Sequence, residues 1–350
     1  MERDEIIRWL MEEDPERLDE LWARADRVRR ENVGDEVHLR GLIELSNHCV
    51  RQCAYCGIRA GNQALERYRM SEVEIMECVR GAVERGYGTV VMQAGEDPGI
   101  TGPWLADVVA RIKRETPLAV TLSLGERSVD DLRAWRDAGA DRYLLRFETS
   151  NRSLYDLLHP PRPGPTAHRL AQLREIRALG YEIGSGVMVG LPGQTCEDLA
   201  TDLALFRELD LDMIGVGPYI PHPDTPLGAA DASAGADDQV PNTELMGYKA
   251  VALTRLVCPQ ANIPSTTALA TVSGDASRQV GLERGANIVM PNLTPAQYRV
   301  KYEIYPSKGR TQAAADGGEA LIREGILALG RTIGTGRGDS LRRLSSAAGA

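Results

Sequence analysis

Apolar residues along this chain follow two alternating rhythms. Short β-rich apolar runs stand at 39–46, 88–94, 117–123, 141–147, 181–188, 212–217, 262–267 and 286–290. Between them lie charged segments whose apolar positions recur every three or four residues, near 71–85, 102–114, 128–138, 166–179, 195–209, 244–257 and 275–284. The runs predict strands and the charged segments predict helices. A further helical stretch, 3–32, carries Ile6, Ile7, Leu10, Leu18, Leu21 and Trp22 at helical spacing. Strands that alternate with helices imply a parallel sheet, and eight of them close a TIM-type barrel. The expected fold is α/β: a complete (β/α)8 TIM-type barrel at 35–306, with an N-terminal helical extension at 1–34. Residues 228–241 read as a loop. Residues 307–318 and 331–350 are rich in Gly, Ala, Arg and Ser, so 307–350 is expected to be a peripheral C-terminal segment.

Composition narrows the class. With 43% hydrophobic and 26% charged residues, the 350-residue chain can bury a large core. Its net charge of −9 argues against a nucleic-acid binder, which would carry a basic surface. The N-terminus has no basic stretch leading into an apolar core, and no apolar run would span a bilayer. The expectation is a cytoplasmic protein with no membrane or nucleic-acid partner.

Three of the six cysteines, Cys49, Cys53 and Cys56, crowd into eight positions after the first strand. Clustered thiols in a reducing compartment point to metal rather than disulfides. Cysteine thiolates are the usual ligands of iron–sulfur clusters, and three ligands for four irons leave one iron open. Zinc remains an alternative. It normally takes four ligands, and His48 would have to fold back beside Cys49 to supply one.

Barrel enzymes carry their chemistry at the C-terminal ends of strands. Here those ends hold Gln93–Asp97, Thr121–Glu126, Arg146–Glu148 and the glycine-rich Gly184–Thr195. Alternation puts Arg146 and Glu148 on one face of their strand, where charges are costly unless paired or used. Arg169 opens the next helix and can hold a carboxylate bidentately, or can be a solvated helix arginine. His222, in the Pro-rich loop 218–226, reads as a satisfied loop residue.

The cysteine spacing, with Tyr55 just before the third cysteine, resembles the signature of the radical S-adenosylmethionine (SAM) superfamily. The resemblance implies one [4Fe–4S] cluster on Cys49, Cys53 and Cys56, whose open iron chelates SAM. It implies SAM cleavage to a 5′-deoxyadenosyl radical. It also implies SAM contacts at Tyr55, Gly95, Glu96, Glu148 and Arg169, and at Met188, which as a strand residue otherwise reads as core. Ala94 stands where many members have the first glycine of a Gly-Gly-Glu-Pro-like motif.

Longer strings narrow the resemblance. Arg67-Tyr68-Arg69-Met70, Gln93–Asp97, Thr121–Glu126, Gly139–Arg146 and Pro221–Leu227 together resemble the HydE family, the radical SAM maturases of [FeFe]-hydrogenase. The match runs from about residue 35 to about residue 306. It implies an organometallic substrate, an iron–cysteine complex bearing carbon monoxide and cyanide, and the partner maturases HydG and HydF. Gln93, Thr121, Ser123, Arg146, Thr266, Thr267, Met290 and Tyr302 would then line the barrel cavity. Several members carry three more cysteines near the C-terminus for an accessory cluster. This chain has none after Cys258, so a single cluster is expected. A methylornithine synthase-like mutase is the alternative within the same subgroup, and a non-catalytic metal scaffold is the alternative outside it. Biotin synthase is disfavoured, because Cys78 and Cys196 fall in helical patterns away from the strand ends.

Overall fold

Strand and helix alternate along the chain as the apolar rhythm requires. The computed structural model describes residues 1–160, 169–229, 238–273, 277–306 and 318–341. Its parallel sheet is built from β1 Glu36–Ser46, β2 Thr89–Ala94, β3 Ala119–Ser123, β4 Arg142–Leu144, β5 Glu182–Val189, β6 Met213–Pro218, β7 Ile288–Val289 and β8 Thr332–Gly334. Seven strands follow the order β6-β5-β4-β3-β2-β1-β7, and β8 adds to β1 off this path. The sheet is the curved parallel α/β type of TIM-like folds. Arg40 on β1 reaches Met213 Sδ on β6 at 3.1 Å, so one end of the path comes across to β1, the strand next to the other end, inside the curve.

Alternation sorts the side chains. One face of each strand (Leu39, Ile43, Val90, Met92, Val120, Leu122, Tyr143, Ile183, Ile214) packs against the helices in one apolar core. A fully buried aliphatic side chain of this kind contributes about 1.5–3 kcal/mol. The opposite face carries Arg40, Glu44, Thr89, Gln93, Thr121, Arg142 and Arg146, along with glycines on β5 and β6. At the N-terminal end of the sheet these inward residues are fully buried. Toward the C-terminal end Gln93, Ser123, Arg146, Thr266 and Met290 keep partial exposure. A Cβ added at Gly215 would meet no atom within 4 Å. The interior is therefore open above and closed below.

Four differences from the sequence reading have physical causes. The stretch 3–32 is two helices, Arg3–Met11 and Pro15–Val33. Pro15 has no N–H to continue the first helix, and Asp14 caps the second by accepting from Glu16 N at 2.9 Å. The run 262–267 forms isolated parallel bridges, Met213 to Asn262 and Pro264 to Ile288, rather than a strand. Pro264 cannot donate to a ladder, and Thr267 already begins the helix Thr267–Ser273. The strand at 141–147 is shortened to β4, and beyond Leu144 Glu148 departs from extended geometry with φ +65°.

The fourth difference is the C-terminal segment. Residues 331–350 read as loose, yet β8 pairs with the start of β1 after the helix Gly318–Ala328. Residues 337–340 then cross the N-terminal end of the sheet. Arg337 C=O accepts from Thr89 and Arg142, at 2.7 and 2.9 Å, and Gly338 C=O accepts from Arg40 at 2.9 Å. Inward-pointing charges hold this strap and close the barrel below.

No described helix is long and apolar enough to cross a membrane. The first two helices pack on the outside of the sheet domain, where the buried Lys249 ammonium donates to Leu10 C=O at 2.9 Å.

Candidate active site

The loop after β1 leaves the sheet at its open end and carries Cys49, Cys53 and Cys56. Several contacts fix it. Val50 N–H donates to Glu96 C=O at 3.0 Å, and Ala54 N–H donates to Leu158 C=O at 2.9 Å. Arg67 donates to the carbonyls of Ile58 and Arg59, both at 2.7 Å. Gly95 lies so close that a Cβ there would stand 2.3 Å from His48 O and 2.8 Å from Cys49 Cβ. A glycine is required at that approach.

Burial pushes all three thiols up, Cys53 to about 11; Cys49 raises Cys53 further, and both Cys53 and Cys49 raise Cys56. A thiolate set at this place calls for cationic metal to hold it deprotonated. Among the described residues no three His, Cys, Asp or Glu side chains are arranged around a single ion. One tetrahedral zinc with Zn–S near 2.3 Å would need its sulfurs within about 4 Å of one another. His48 adjoins Cys49 and lies among Arg69, Asp97 and Arg67. Three cysteines on one loop, with no fourth donor among the described residues, fit a cluster with one open corner.

Beside Cys53 lies a buried network of two arginines and two carboxylates. Arg169 Nε donates to Glu126 Oε1 at 3.1 Å, and Arg169 Nη1 donates to Arg146 C=O at 2.8 Å. Arg51 approaches Glu126 at 3.6 Å and Glu96 at 3.9 Å, and Arg169 approaches Glu96 at 3.9 Å. All four are nearly inaccessible. Burial, then the Glu126 charge, pushes the Glu96 carboxyl up, while Arg169 and Arg51 oppose it. Arg51 Nη1 is buried with no hydrogen-bond partner among the described residues, a donor left available. Such an array can grip the carboxylate of an amino acid. Arg51 and Glu126 escaped the sequence reading. Their one signal was a basic residue inside the cysteine loop and an acidic residue closing the β3 turn.

Glu148 pairs with Arg146 at 3.3 Å, so the same-face expectation holds although the strand has ended. Burial raises the Glu148 carboxyl, and Arg146 and Arg169 draw it back down. Tyr55 packs with Met188, Leu191 and Tyr219 in a small apolar cluster apart from the main core, and its OH lies 3.1 Å from His159 Nε2. Met188 is therefore core of that satellite cluster and also neighbour to the cysteine loop.

The other expected residues divide. Gln93, Thr121, Ser123 and Arg146 belong to β2, β3 and the β4 end of the inner face. Buried Thr121 Oγ1 and Thr266 Oγ1 have no hydrogen-bond partner among the described residues. Met290, just after β7, is half-buried. Tyr302 is buried within electrostatic reach of Glu44, Cys56 and Cys49. Thr267 starts a helix, and its carbonyl accepts from Thr271 at 2.9 Å. Glu44, fully buried on the same inner face and accepting from Asn292 Nδ2 at 3.1 Å, was not foreseen. His222 is satisfied: its Nδ1 accepts from Asp224 N–H at 3.1 Å. A cavity of about 630 Å³ lies elsewhere, outside the sheet, with Cys78, Leu293 and Ile322 among its lining, and contains none of these groups except the flank of Asn292.

A half-open parallel barrel with three cysteines at its mouth defines the radical SAM class, and the profile of the Radical SAM superfamily matches residues 43–206. The [FeFe] hydrogenase maturase subunit HydE of Thermotoga maritima is 47% identical over 82% of this chain and 79% of its own length. A 3-methylornithine synthase of Methanosarcina acetivorans is 30% identical over 82% of this chain and 78% of its own. The crystal structure of methylornithine synthase (PylB) superposes with a TM-score of 0.80 at 25% identity, covering 95% of this chain and 94% of that one. The chain belongs to the HydE family of the radical SAM superfamily.

Proposed function

We infer that this protein is a radical SAM maturase acting in assembly of the [FeFe]-hydrogenase cofactor. The observation that carries this reading is the three-cysteine loop seated beside the Arg51–Glu96–Glu126–Arg169 network, in a chain 47% identical to a HydE subunit. Cys49, Cys53 and Cys56 would hold one [4Fe–4S] cluster, and cluster and SAM together supply one-electron cleavage to a 5′-deoxyadenosyl radical. Arg169 and Arg51 would bind the SAM carboxylate, the Gly95–Glu96 backbone its ammonium, and Glu148 a further polar group. Tyr55 and Met188 offer an apolar wall for the adenine.

Below them the barrel would hold an iron–cysteine complex with carbon monoxide and cyanide. Arg146 meets its negative charge in a water-poor interior. The unbonded hydroxyls of Thr121 and Thr266 offer it polar contacts, and Gln93, Ser123, Thr267, Met290 and Tyr302 complete the lining. A complete eight-stranded ring is part of this reading. Its support is the pair of parallel bridges through Asn262 and Pro264, which join β6 to β7. So is the division into a helical extension at 1–34, a barrel at 35–306 and a segment at 307–350. The setting is the cytoplasm, with HydG supplying the substrate and HydF receiving the product.

The test is anaerobic reconstitution, reduction with dithionite and chromatography. SAM is expected to yield 5′-deoxyadenosine, and a synthetic iron–cysteine–carbonyl–cyanide complex is expected to be consumed with it. Absence of 5′-deoxyadenosine would sink the radical enzyme reading. Conversion of lysine to methylornithine by the same preparation would replace the maturase with a mutase.

A further inference from the structure

Glu148 is held in an unusual backbone conformation, and the group responsible lies outside the site. Its φ is +65°, one of two positive values among the non-glycine residues described. Thr149 N–H donates back to Phe147 C=O at 2.8 Å, closing a three-residue γ-turn around Glu148. A γ-turn with positive central φ is rare and strained, and a side-chain-bearing residue stays there only when its surroundings over-determine it.

The surroundings that do so converge on Asp202. This aspartate is fully buried on the helix Cys196–Glu208. One of its oxygens accepts from both Ser150 N–H, at 2.6 Å, and Ser150 Oγ, at 2.5 Å. Its other oxygen is buried with no hydrogen-bond partner among the described residues, and fully buried Thr149 lies nearby. Four residues earlier on the same helix, Asp198 accepts from Asn151 Nδ2 at 2.9 Å. The turn 148–151 is thereby tied to the helix at two successive residues, Ser150 and Asn151. Its far end is tied to the cysteine loop, because Asn151 caps the helix Arg152–Leu158, whose last carbonyl receives Ala54 N–H.

The anchor is costly. Among the described residues no cation pairs with Asp202, and burial pushes its carboxyl up to about 7. Asn or Ser would cap such a turn at less expense in a purely structural setting. A fully buried carboxyl bonded to the backbone next to a strained, inward-facing glutamate points to a task at that glutamate.

We propose that Asp202 is a positioning residue for SAM: by bonding the backbone and hydroxyl of Ser150 it holds the Glu148 turn left-handed and aims the Glu148 carboxylate into the mouth of the barrel. This rests on the reading of Glu148 as a SAM contact.

The test uses the anaerobically reconstituted protein, with iron per chain, the electron paramagnetic resonance change of the reduced cluster on SAM addition, and SAM affinity as readouts. Glu148→Gln is expected to weaken SAM about tenfold or more. Asp202→Ala is expected to do the same with iron content unchanged, and Asp202→Asn to stay within about threefold of the parent because it keeps the accepting oxygen. The double variant Glu148→Gln/Asp202→Ala is expected to bind no more weakly than Glu148→Gln alone. Should Asp202→Ala fail to fold, Ser150→Ala removes one bond from the other side and is expected to weaken SAM in the same direction. Undiminished affinity in Asp202→Ala or Ser150→Ala, or additive losses in the double variant, would overturn the proposal. If Glu148→Gln binds SAM normally, the reading of Glu148 itself fails; a weakened Asp202→Ala beside it would then show that Asp202 acts by another route.

Discussion

The strap across the bottom of the barrel makes a quantitative demand on Arg142. This residue is fully buried, with Nε donating to Glu182 Oε2 at 2.7 Å and Nη1 to Thr89 Oγ1 at 2.9 Å. Its Nη2 reaches Arg337 C=O at 2.9 Å and the Asp339 carboxylate. Glu182 in turn accepts from Ser340 N–H at 3.0 Å. Arg142→Ala removes every bond at once and strands the Glu182 charge in the interior. Hydrogen bonds to charged groups contribute about 1.5–3 kcal/mol each, but they share one guanidinium and do not sum. Breaking a buried pair by deleting one partner costs about 3–5 kcal/mol, and that is the expected loss. The assay is urea unfolding of the apo-protein, so that cluster loss does not enter, with the midpoint shift read at constant slope. The strap should also loosen, and limited proteolysis should cut near 335–341. Arg142→Met combined with Glu182→Gln removes both charges and is expected to regain most of the loss. A loss below about 1 kcal/mol in the single variant, with the strap still protected, would refute the reasoning.

Three further outcomes follow from the same geometry. Cys53→Ala should lose its iron and all SAM cleavage while far-UV circular dichroism stays unchanged, because the loop sits at the mouth and not in the core; an unfolded variant would make the cluster structural. Gly95→Ala should cost about 1–3 kcal/mol by overpacking and lower iron incorporation, since its Cβ would meet His48 O at 2.3 Å; unchanged stability and iron content would contradict the close approach. Asp202 should make stability fall with pH. Its folded-state value of about 7 lies above the ordinary 3.8, through burial first and then the like charge of Asp198, against the opposing Ser150 bonds. A raised value gives stability that is complete below about pH 4 and is lost as pH rises toward 7, up to ~4 kcal/mol. Asp202→Asn does not titrate, so its stability relative to the parent should climb between pH 4 and 7 and then level off; a flat difference would show that the carboxyl ionises freely.

Much of this protein was legible one segment at a time. Alternation of period-two and helical apolar patterns marked six of the eight observed strands nearly to their ends, because each pattern follows from the local geometry of a strand or helix. The cysteine loop and the polar strand ends were equally local. Where the reading slipped, a local rule had been overridden. Pro15 and Pro264 interrupt patterns that hydrophobicity alone continues. The strap 337–340 looks like a loose tail because its bonds are made by its backbone and by charges on other strands.

The sequence by itself determined which residues could bind metal and which faces would be buried, since composition and spacing act within one turn or one strand. Only the tertiary structure decided how those residues combine. Arg51, Glu96, Glu126 and Arg169 come from four separate segments, and their network exists because parallel strands deliver every loop to the same end of the sheet. The conformation of Glu148 is likewise set some fifty residues away, by Asp202, whose bonds no neighbour in sequence could supply.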